Sequence, residues 1–399
     1  MASAERCEPC EDGRRLLAAA LLVRVVWAVL KGQFWGYHDD GLFDDGAYIK
    51  MGRALLGDGP LSMTHPPGYA AFLAPFLALG EWGVSLARWA QFVVSALIPV
   101  LAYRLALALN RTRAEALAAG VFLVFDPMLV YFTSRIMSEA SFTALAAAFL
   151  LAWLHAWRSG SVKAAALAGA LGAAASLTRG VMLPYGGLLA LVALLRRKEQ
   201  PAWARLVLAC GVVWTLGVGA WTARNWRAYG RFVPISVQGG WNFYEGLATD
   251  YGEIAVRPVR MGEEAKALGL TTPFELDAHF GAKAKAFIRE SPGEFVRICA
   301  VKAARFWRLA PEAPHALSTR LAAGAFSAVF FGFALYGLTL GAARAPGAWF
   351  LIAWCLHLNL LHAVFAASLR YRLPVLPAVA VFAGAGLAAF IAQRGRIGK

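Results

Sequence analysis

Ten apolar runs of helical length decide what this chain can fold into. They are centred on residues 16–34, 84–109, 114–132, 138–157, 161–178, 181–196, 203–223, 321–341, 347–367 and 373–393. A helix needs about 17–25 predominantly apolar residues to cross the hydrocarbon core of a bilayer. The runs therefore predict an all-α polytopic membrane protein with about ten transmembrane helices. The boundaries within 161–196 are left open, because both runs there are short.

The distribution of positive charge predicts the orientation. The chain has 399 residues and a net charge of +15, and its basic residues form short clusters between the apolar runs. Such clusters mark cytoplasmic segments. A cytoplasmic N-terminus makes every inside segment basic, so we predict a plasma (inner) membrane protein with both termini cytoplasmic. The same clustering argues against a nucleic-acid partner.

The spans divide the chain into three predicted parts. Residues 1–223 form an N-terminal transmembrane catalytic module whose first external loop is 35–83, residues 224–320 form an external cap, and 321–399 hold the C-terminal transmembrane helices. The first loop contains "YIKMGRALL" and "YAAFLAPFLAL", patterns typical of interfacial helices. The cap includes a polar helical stretch near Pro273–Arg308. The run 16–34 is long and lacks a clear small-residue cleavage site, so we interpret it as a retained first span.

The cysteines do not indicate a disulfide framework or a metal site. Cys7 and Cys10 in "CEPC" are the one close pair, and no second pair or histidine cluster accompanies them. Zinc sites require four such ligands in close spacing. We therefore predict unlinked thiols.

An acidic stretch follows the first apolar run. It contains Asp39, Asp40, Asp44 and Asp45, and it leads into "THPPGY". An aspartate commonly caps a helix N-terminus, but one residue would satisfy that role. The adjacent pair therefore favours a further function, either as general base or as metal ligand. The paired prolines fix a turn, and His65 before them is either a turn residue or a contact for an anion at the membrane surface.

Charged residues recur at the predicted external ends of other spans. "TSRIMSEASF" places Arg135 four residues before Glu139, which indicates either an ion pair on one helix face or a polar pair facing a cavity. "SLTRG" contributes Arg179, and "LRYRLPVLP" contributes Arg370 and Arg372. Guanidinium groups suit phosphate oxygens. Arginines that stabilise a phosphate leaving group, beside a carboxylate base, outline group transfer from a lipid phosphate.

The motifs together resemble a known family. In order they are "DDGAY", "HPPGY", "SRIMSE", "SLTRG", "ARNWRAYGRFVPISVQGGWNFYEG", "PGEFVRICAVKAARFW" and "RYRLPVLP". This series is similar to the integral-membrane glycosyltransferases of family 39, related to protein O-mannosyltransferases and the lipid A aminoarabinose transferase, over about residues 14–393. The resemblance implies the GT-C fold, a sugar donor carried on a polyprenyl monophosphate, and transfer with inversion.

The resemblance also implies roles for individual residues. It makes Asp44 the general base, with Asp45 where many relatives have glutamate and His65 where some have a lysine that contacts donor phosphate. Our candidates are Asp44 and Asp45 for catalysis; His65, Arg135, Arg179, Arg370 and Arg372 for donor phosphate; and Tyr48, Glu139, Asn242 and Tyr244 for acceptor or sugar binding. No cofactor is implied with certainty. A divalent metal held by Asp44 and Asp45 through oxygen ligands stays open.

The sequence thus predicts a glycosyltransferase that moves a hexosyl or pentosyl group to a hydroxyl of a cell-envelope acceptor on the external face. The acceptor is a lipid, a glycan or a protein. The alternative is a flippase or transporter of a lipid-linked sugar, which predicts polar residues along the depth of the bundle. Most charges lie at helix ends, apart from Arg24, His155 and His357. A non-catalytic scaffold gives no reason for carboxylates facing arginines.

Overall fold

The fold is a bundle of α-helices. In the computed structural model, residues 8–32, 44–248, 251–311 and 316–397 are described, and within these ranges no strand occurs. Asp39 and Asp40 lie outside the described residues. The all-α prediction is confirmed.

The described helices are numbered in chain order. The first ten are α1 (Glu8–Leu30), α2 (Asp45–Leu55), α3 (Pro67–Leu77), α4 (Gly83–Ala108), α5 (Arg113–Phe125), α6 (Pro127–Thr133), α7 (Glu139–Ser159), α8 (Val162–Thr178), α9 (Tyr185–Leu195) and α10 (Trp203–Tyr229). The remainder are α11 (Gly239–Glu245), α12 (Tyr251–Ala267), α13 (Pro273–Glu290), α14 (Pro292–Phe306), α15 (Leu317–Thr339), α16 (Ala348–Val364) and α17 (Leu376–Ile397). Short 3₁₀ helices lie at Gly80–Trp82, Gly180–Met182, Ala342–Arg344 and Leu369–Val375.

Every predicted apolar run is helical, but the number of spans stays a prediction. Among the described residues, five helices are long and apolar enough to cross a membrane, and a sixth is added if the bent pair α5 and α6 counts as one span. Helices α8 and α16 have 17 residues each, and α9 has 11. The apolar helices indicate a multi-pass membrane protein.

The bend between α5 and α6 has a local cause. The two helices meet at an angle of 52°. Asp126 caps α6, because its Oδ1 accepts a hydrogen bond of 2.8 Å from the backbone N–H of Leu129, and Pro127 follows as the first residue of the helix. A proline cannot continue the hydrogen-bond ladder of a preceding helix. The cap and the proline together fix the break.

The "HPPGY" turn brings α3 against the end of α8. Helix α3 starts at Pro67, where the missing N–H costs nothing. A Cβ added to Gly68 would lie 2.7 Å from the backbone nitrogen of Thr178. Glycine is therefore required here by close approach of two backbones. The contact joins the first loop to the residue just before Arg179.

Helices α11 to α14 lie within residues 224–320, the segment predicted to form the cap. Phe280 of α13 is fully buried, and Trp241 and Tyr244 of α11 pack against it. The segment just before α11 is joined to the first loop by a backbone hydrogen bond of 2.7 Å from Val237 N to Met63 O. The predicted helices in the first loop and near Pro273–Arg308 are thus confirmed as helices.

Candidate functional site

Asp44 stands directly before α2 with its side chain turned away from the helix end. It occupies the N-cap position, but its carboxylate accepts no capping hydrogen bond. Its Oδ2 instead lies 3.6 Å from Nη2 of Arg370, and the side chain is 47% exposed. Helix capping therefore does not account for this carboxylate.

Asp45 is fully buried in the same stretch. Its Oδ2 accepts a hydrogen bond of 3.2 Å from the backbone N–H of Ile136, while Oδ1 has no hydrogen-bond partner among the described residues. Burial raises the pKa of Asp45 above its ordinary value, and the positive charge of Arg135 opposes this shift. The two adjacent aspartates therefore have different environments, one exposed and one enclosed.

The rings of Tyr48, His65 and Tyr69 pack together next to this acidic pair. Tyr48 packs edge-on against His65 at 5.2 Å and against Tyr69 at 5.0 Å between ring centroids, and its hydroxyl lies 3.1 Å from Oγ of Ser138. Burial raises the pKa of Tyr48 to about 12. Burial lowers the pKa of His65, although the charge of Asp44 acts in the other direction. Burial therefore favours the uncharged form of the His65 ring.

Glu139 gathers two arginines at the start of α7. Its Oε1 accepts a hydrogen bond of 2.8 Å from Nη1 of Arg179 and lies 3.7 Å from Nε of Arg370. Glu139 is 1% exposed, and its Oε2 has no partner among the residues that the structure describes. These ion pairs join α7, the end of α8 and the 3₁₀ helix Leu369–Val375.

Tyr371 supports both guanidinium groups. Cζ of Arg179 and Cζ of Arg370 each lie 5.0 Å from the centre of the Tyr371 ring, a cation–π distance. The Tyr371 hydroxyl also accepts a hydrogen bond of 3.1 Å from Arg370 Nη2, and His362 stacks on the ring at 4.5 Å. Asp44, Glu139, Arg179 and Arg370 therefore form one charged cluster, which we call the acid–arginine cluster.

Arg372 is not brought to this cluster. It is 2% exposed and donates to the backbone carbonyl of Arg308 and, at 3.2 Å, to Oγ of Ser327. Its guanidinium lies over the ring of Phe331 and is attracted by the negative charge of Asp126. Arg370 and Arg372 lie two residues apart in one 3₁₀ helix, and their side chains contact different neighbours.

Three other predicted site residues contact neighbours outside the acid–arginine cluster. Arg135 lies over the ring of Tyr131 at 5.6 Å. Tyr244 stacks on Phe280 at 5.6 Å inside the cap. Asn242 lies on the same short helix, and its backbone carbonyl accepts from Gly246 N at 3.0 Å.

The sequence reasoning missed one further acid, Glu245, the last residue of α11. The charges of Arg370 and Asp44 act on its carboxyl in opposite directions. Burial raises the pKa of Glu245. A signal was available, because Glu245 lies within the quoted "GGWNFYEG" and is its single acid.

A groove of about 660 Å³ meets the cluster at Arg370. Its walls are apolar and aromatic, including Trp27, Tyr131 and Ala323, and Arg370 lines it as well. Three further cations line the groove: Lys31, Arg305 and Arg308. The sequence reasoning did not single out these three, although two of them occur in "KAARFWR".

The described part of the acidic stretch does not bring its carboxylates together on one side. Among the described residues, no group of three or more His, Cys, Asp or Glu side chains is placed to share an ion. Asp44 faces Arg370, whereas Asp45 faces the backbone of Ile136. We derive no chemical step through a metal.

The fold can now be compared with known structures. The chain is similar to the archaeal oligosaccharyltransferase AglB of Archaeoglobus fulgidus, described in complex with an inhibitory peptide and a dolichol-phosphate, with 12% identity and a TM-score of 0.59. The match covers 96% of this chain and 50% of that one, so this chain spans about half the length of that enzyme. ArnT of Cupriavidus metallidurans, bound to undecaprenyl phosphate, matches with 18% identity, a TM-score of 0.44 and coverage of 94% and 77%.

By its fold the chain is of the GT-C type. Within the chain, residues 64–221 match the sequence model of the family described as dolichyl-phosphate-mannose-protein mannosyltransferase. The matched segment runs from the "HPPGY" turn into α10 and includes Glu139 and Arg179. No curated protein matches the chain.

Proposed function

We propose that the protein is a glycosyltransferase that moves one sugar from a polyprenyl-phosphate carrier to an acceptor hydroxyl. The observation that carries the proposal is the position of Arg370. It lies 3.6 Å from the half-exposed Asp44, and it also lines the apolar groove. One guanidinium thus connects a candidate base with a site suited to a lipid phosphate.

The groove fits the donor in its chemistry. Its apolar walls would hold the prenyl chain, and its cations Lys31, Arg305, Arg308 and Arg370 would attract the phosphate. Arginine binds phosphate oxygens through paired N–H donors. In this proposal Arg370, supported by Tyr371 and accompanied by Arg179, stabilises the phosphate as it leaves.

Asp44 would act as the general base. The acceptor hydroxyl loses its proton to the Asp44 carboxylate as its oxygen bonds to the anomeric carbon, and the bond from that carbon to the phosphate oxygen breaks. The phosphate carries the electron pair away, so no general acid is needed. Attack opposite the leaving group inverts the anomeric centre.

The surrounding residues would shape this site. Asp45 and Glu139 each offer a buried carboxylate oxygen without a partner among the described residues, which suits hydroxyl groups of the transferred sugar. Tyr48 and His65 would wall the site. Arg372 would act at a distance, by holding the segment that carries Arg370.

Orientation and acceptor belong to the same proposal. The basic clusters between spans support an external site with cytoplasmic termini in the plasma membrane. The match to a protein mannosyltransferase family makes a mannose-type donor the first probe to use. The acceptor is a lipid, a glycan or a protein.

The test is transfer by purified protein in detergent. Radiolabelled polyprenyl-phosphate sugars, mannose first, would be offered with membrane extracts, octyl glycosides and serine-containing peptides. We expect a labelled product whose mass identifies the sugar and the acceptor together. A flippase would move the labelled donor across proteoliposomes and form no product, and that outcome would reject the proposal.

A further inference from the structure

Two segments that are distant in the chain contribute to the wall of the groove. Arg305 and Arg308 come from the end of α14 and the residues just after it, whereas residues 367–370 follow the end of α16. Together the two segments carry three of the cations that line the groove, because the second one includes Arg370. The spacing of these cations therefore depends on contacts between the two segments.

Lys302 joins the two segments. It lies on α14 about one turn before Arg305. Its ammonium donates hydrogen bonds of 2.9 Å to the carbonyl oxygen of Val364 and of 2.8 Å to that of Phe365, at the end of α16, and a third bond of 2.6 Å to the carbonyl oxygen of Gly246. The side chain is 1% exposed, and all three N–H donors are used. Lys302 therefore fixes how α14 lies against the end of α16.

Two further contacts act at the same junction. A Cβ added to Gly246 would lie 2.7 Å from the carbonyl carbon of Phe365 and 2.9 Å from the nitrogen of Ala366, so the end of α11 approaches this backbone without space for a side chain. The side-chain amide of Asn359 donates a hydrogen bond of 3.0 Å to the carbonyl oxygen of Ala303. The junction is thus closely packed immediately before the residues that line the groove.

The contacts of Lys302 indicate a role other than binding the donor directly. The residue is not among those that line the groove. Each of its bonds goes to a backbone carbonyl, and no carboxylate among the described residues pairs with it. Burying an ammonium without a negative partner costs free energy. Stability alone does not explain that cost, whereas a fixed relation between α14 and α16 does.

We propose that Lys302 is a positioning residue for donor binding, which sets the spacing between Arg305 and Arg308 on one segment and Arg370 on the other. The inference rests on the proposed function, because it takes the groove as the site of the donor phosphate. A guanidinium binds phosphate oxygens through donors in a fixed geometry. Moving one segment should therefore weaken phosphate binding although every arginine is still present.

Lys302→Met tests the inference because it removes the three hydrogen bonds and keeps an unbranched side chain. Titration with a polyprenyl monophosphate in detergent should give a Kd about tenfold higher than for the wild type, as for loss of one hydrogen bond to a charged group. In transfer assays the donor KM should rise as well, while kcat and the acceptor KM stay unchanged. Lys283→Met, which removes a lysine that bonds Glu264 between α12 and α13, is the matched control and should keep its donor affinity.

Two further variants separate position from charge. Lys302→Gln keeps N–H donors on a shorter side chain and should lose less affinity than Lys302→Met. Gly246→Ala keeps every charge, but its Cβ would push against the backbone just after α16, so donor affinity should fall here too. Gly240→Ala is its control, because its Cβ would meet the carbonyl oxygen of Asp277, between α11 and α13.

The outcomes distinguish this inference from the proposed function. Melting temperatures that fall in Lys302→Met and Gly246→Ala, with an unchanged Kd of the folded protein, would show a purely structural role and overturn this inference alone. If Lys302→Met does not fold, Lys302→Gln and Gly246→Ala decide by the same titration. A wild-type protein that does not bind the polyprenyl monophosphate rejects the proposed function, and this inference falls with it.

Discussion

Arg179 donates a hydrogen bond of 2.8 Å to Glu139, and both partners are largely enclosed, with side chains 18% and 1% exposed. The residues are 40 positions apart and belong to the ends of different helices. Because Arg370 also lies 3.7 Å from the same carboxylate oxygen, Glu139 holds three chain segments in register.

Breaking this ion pair should cost more than losing a surface pair. Arg179→Met leaves Glu139 buried near Arg370 alone, and Glu139→Gln leaves two arginines without their shared partner. Each single change is expected to lower the free energy of unfolding by about 3–5 kcal/mol. The double variant should lose less than the sum, as measured by thermal unfolding in detergent. Additive losses would mean that the two side chains are not coupled.

Asp44→Asn should abolish transfer. An amide cannot take the acceptor proton, so we expect kcat to fall by about 10²- to 10⁴-fold. Binding of the polyprenyl phosphate, measured by titration, should be retained. Asp58→Asn, at an exposed acid in the same loop, serves as control and should keep full activity. Transfer by Asp44→Asn at the wild-type rate would contradict the assignment of the base.

Asp45 should make stability depend on pH in a particular direction. Since burial raises its pKa in the folded state, the folded protein holds this proton over a pH range in which the unfolded chain has released it. Stability should therefore fall as pH rises from about 4 through the folded-state pKa. Asp45→Asn lacks a charge to bury, so it should be more stable than wild type at pH 7. Melting curves of wild type and Asp45→Asn between pH 4 and 8 measure how their difference in stability changes with pH. Parallel curves would contradict this prediction.

Arg370 and Arg372 should give different defects although only Tyr371 separates them. Arg370→Ala removes the group that lines the groove, so donor affinity should fall at least tenfold. Arg372→Ala removes the hydrogen bonds to Ser327 and to the carbonyl of Arg308, and it should mainly lower the melting temperature. Donor titration and melting curves, measured on both variants, distinguish a loss of donor affinity from a loss of stability. A loss of affinity in Arg372→Ala without a loss of stability would place Arg372 at the phosphate.

A bulky side chain placed in the groove should block the binding of a long lipid chain there. Thr319 lines it and is exposed, so Thr319→Trp adds bulk without disturbing a packed core. We expect weaker binding of a long polyprenyl phosphate and unchanged binding of inorganic phosphate. Val329→Trp, at an exposed position of the same helix that does not line the groove, should affect neither.

The sequence predicted the positions of the helices better than it predicted which neighbours their side chains contact. The apolar runs gave the helices, because burial in a bilayer demands a continuous apolar segment. Asp44 and Arg370 were both found from their positions at helix ends. Sequence spacing could not separate Arg370 from Arg372, because the 3₁₀ geometry of Leu369–Val375 sets where each points. Lys302 was also missed, because a lysine that binds only carbonyl groups has no charged partner to reveal it.

The close approach of Gly68 to Thr178 has a consequence for how an acceptor reaches the site. A backbone contact without space for a methyl group leaves no gap between α3 and α8. Wedging these helices apart would separate the loop that carries Asp44 from the segment that carries Arg179. In the proposed transferase, an acceptor could therefore not pass between α3 and α8 at this contact.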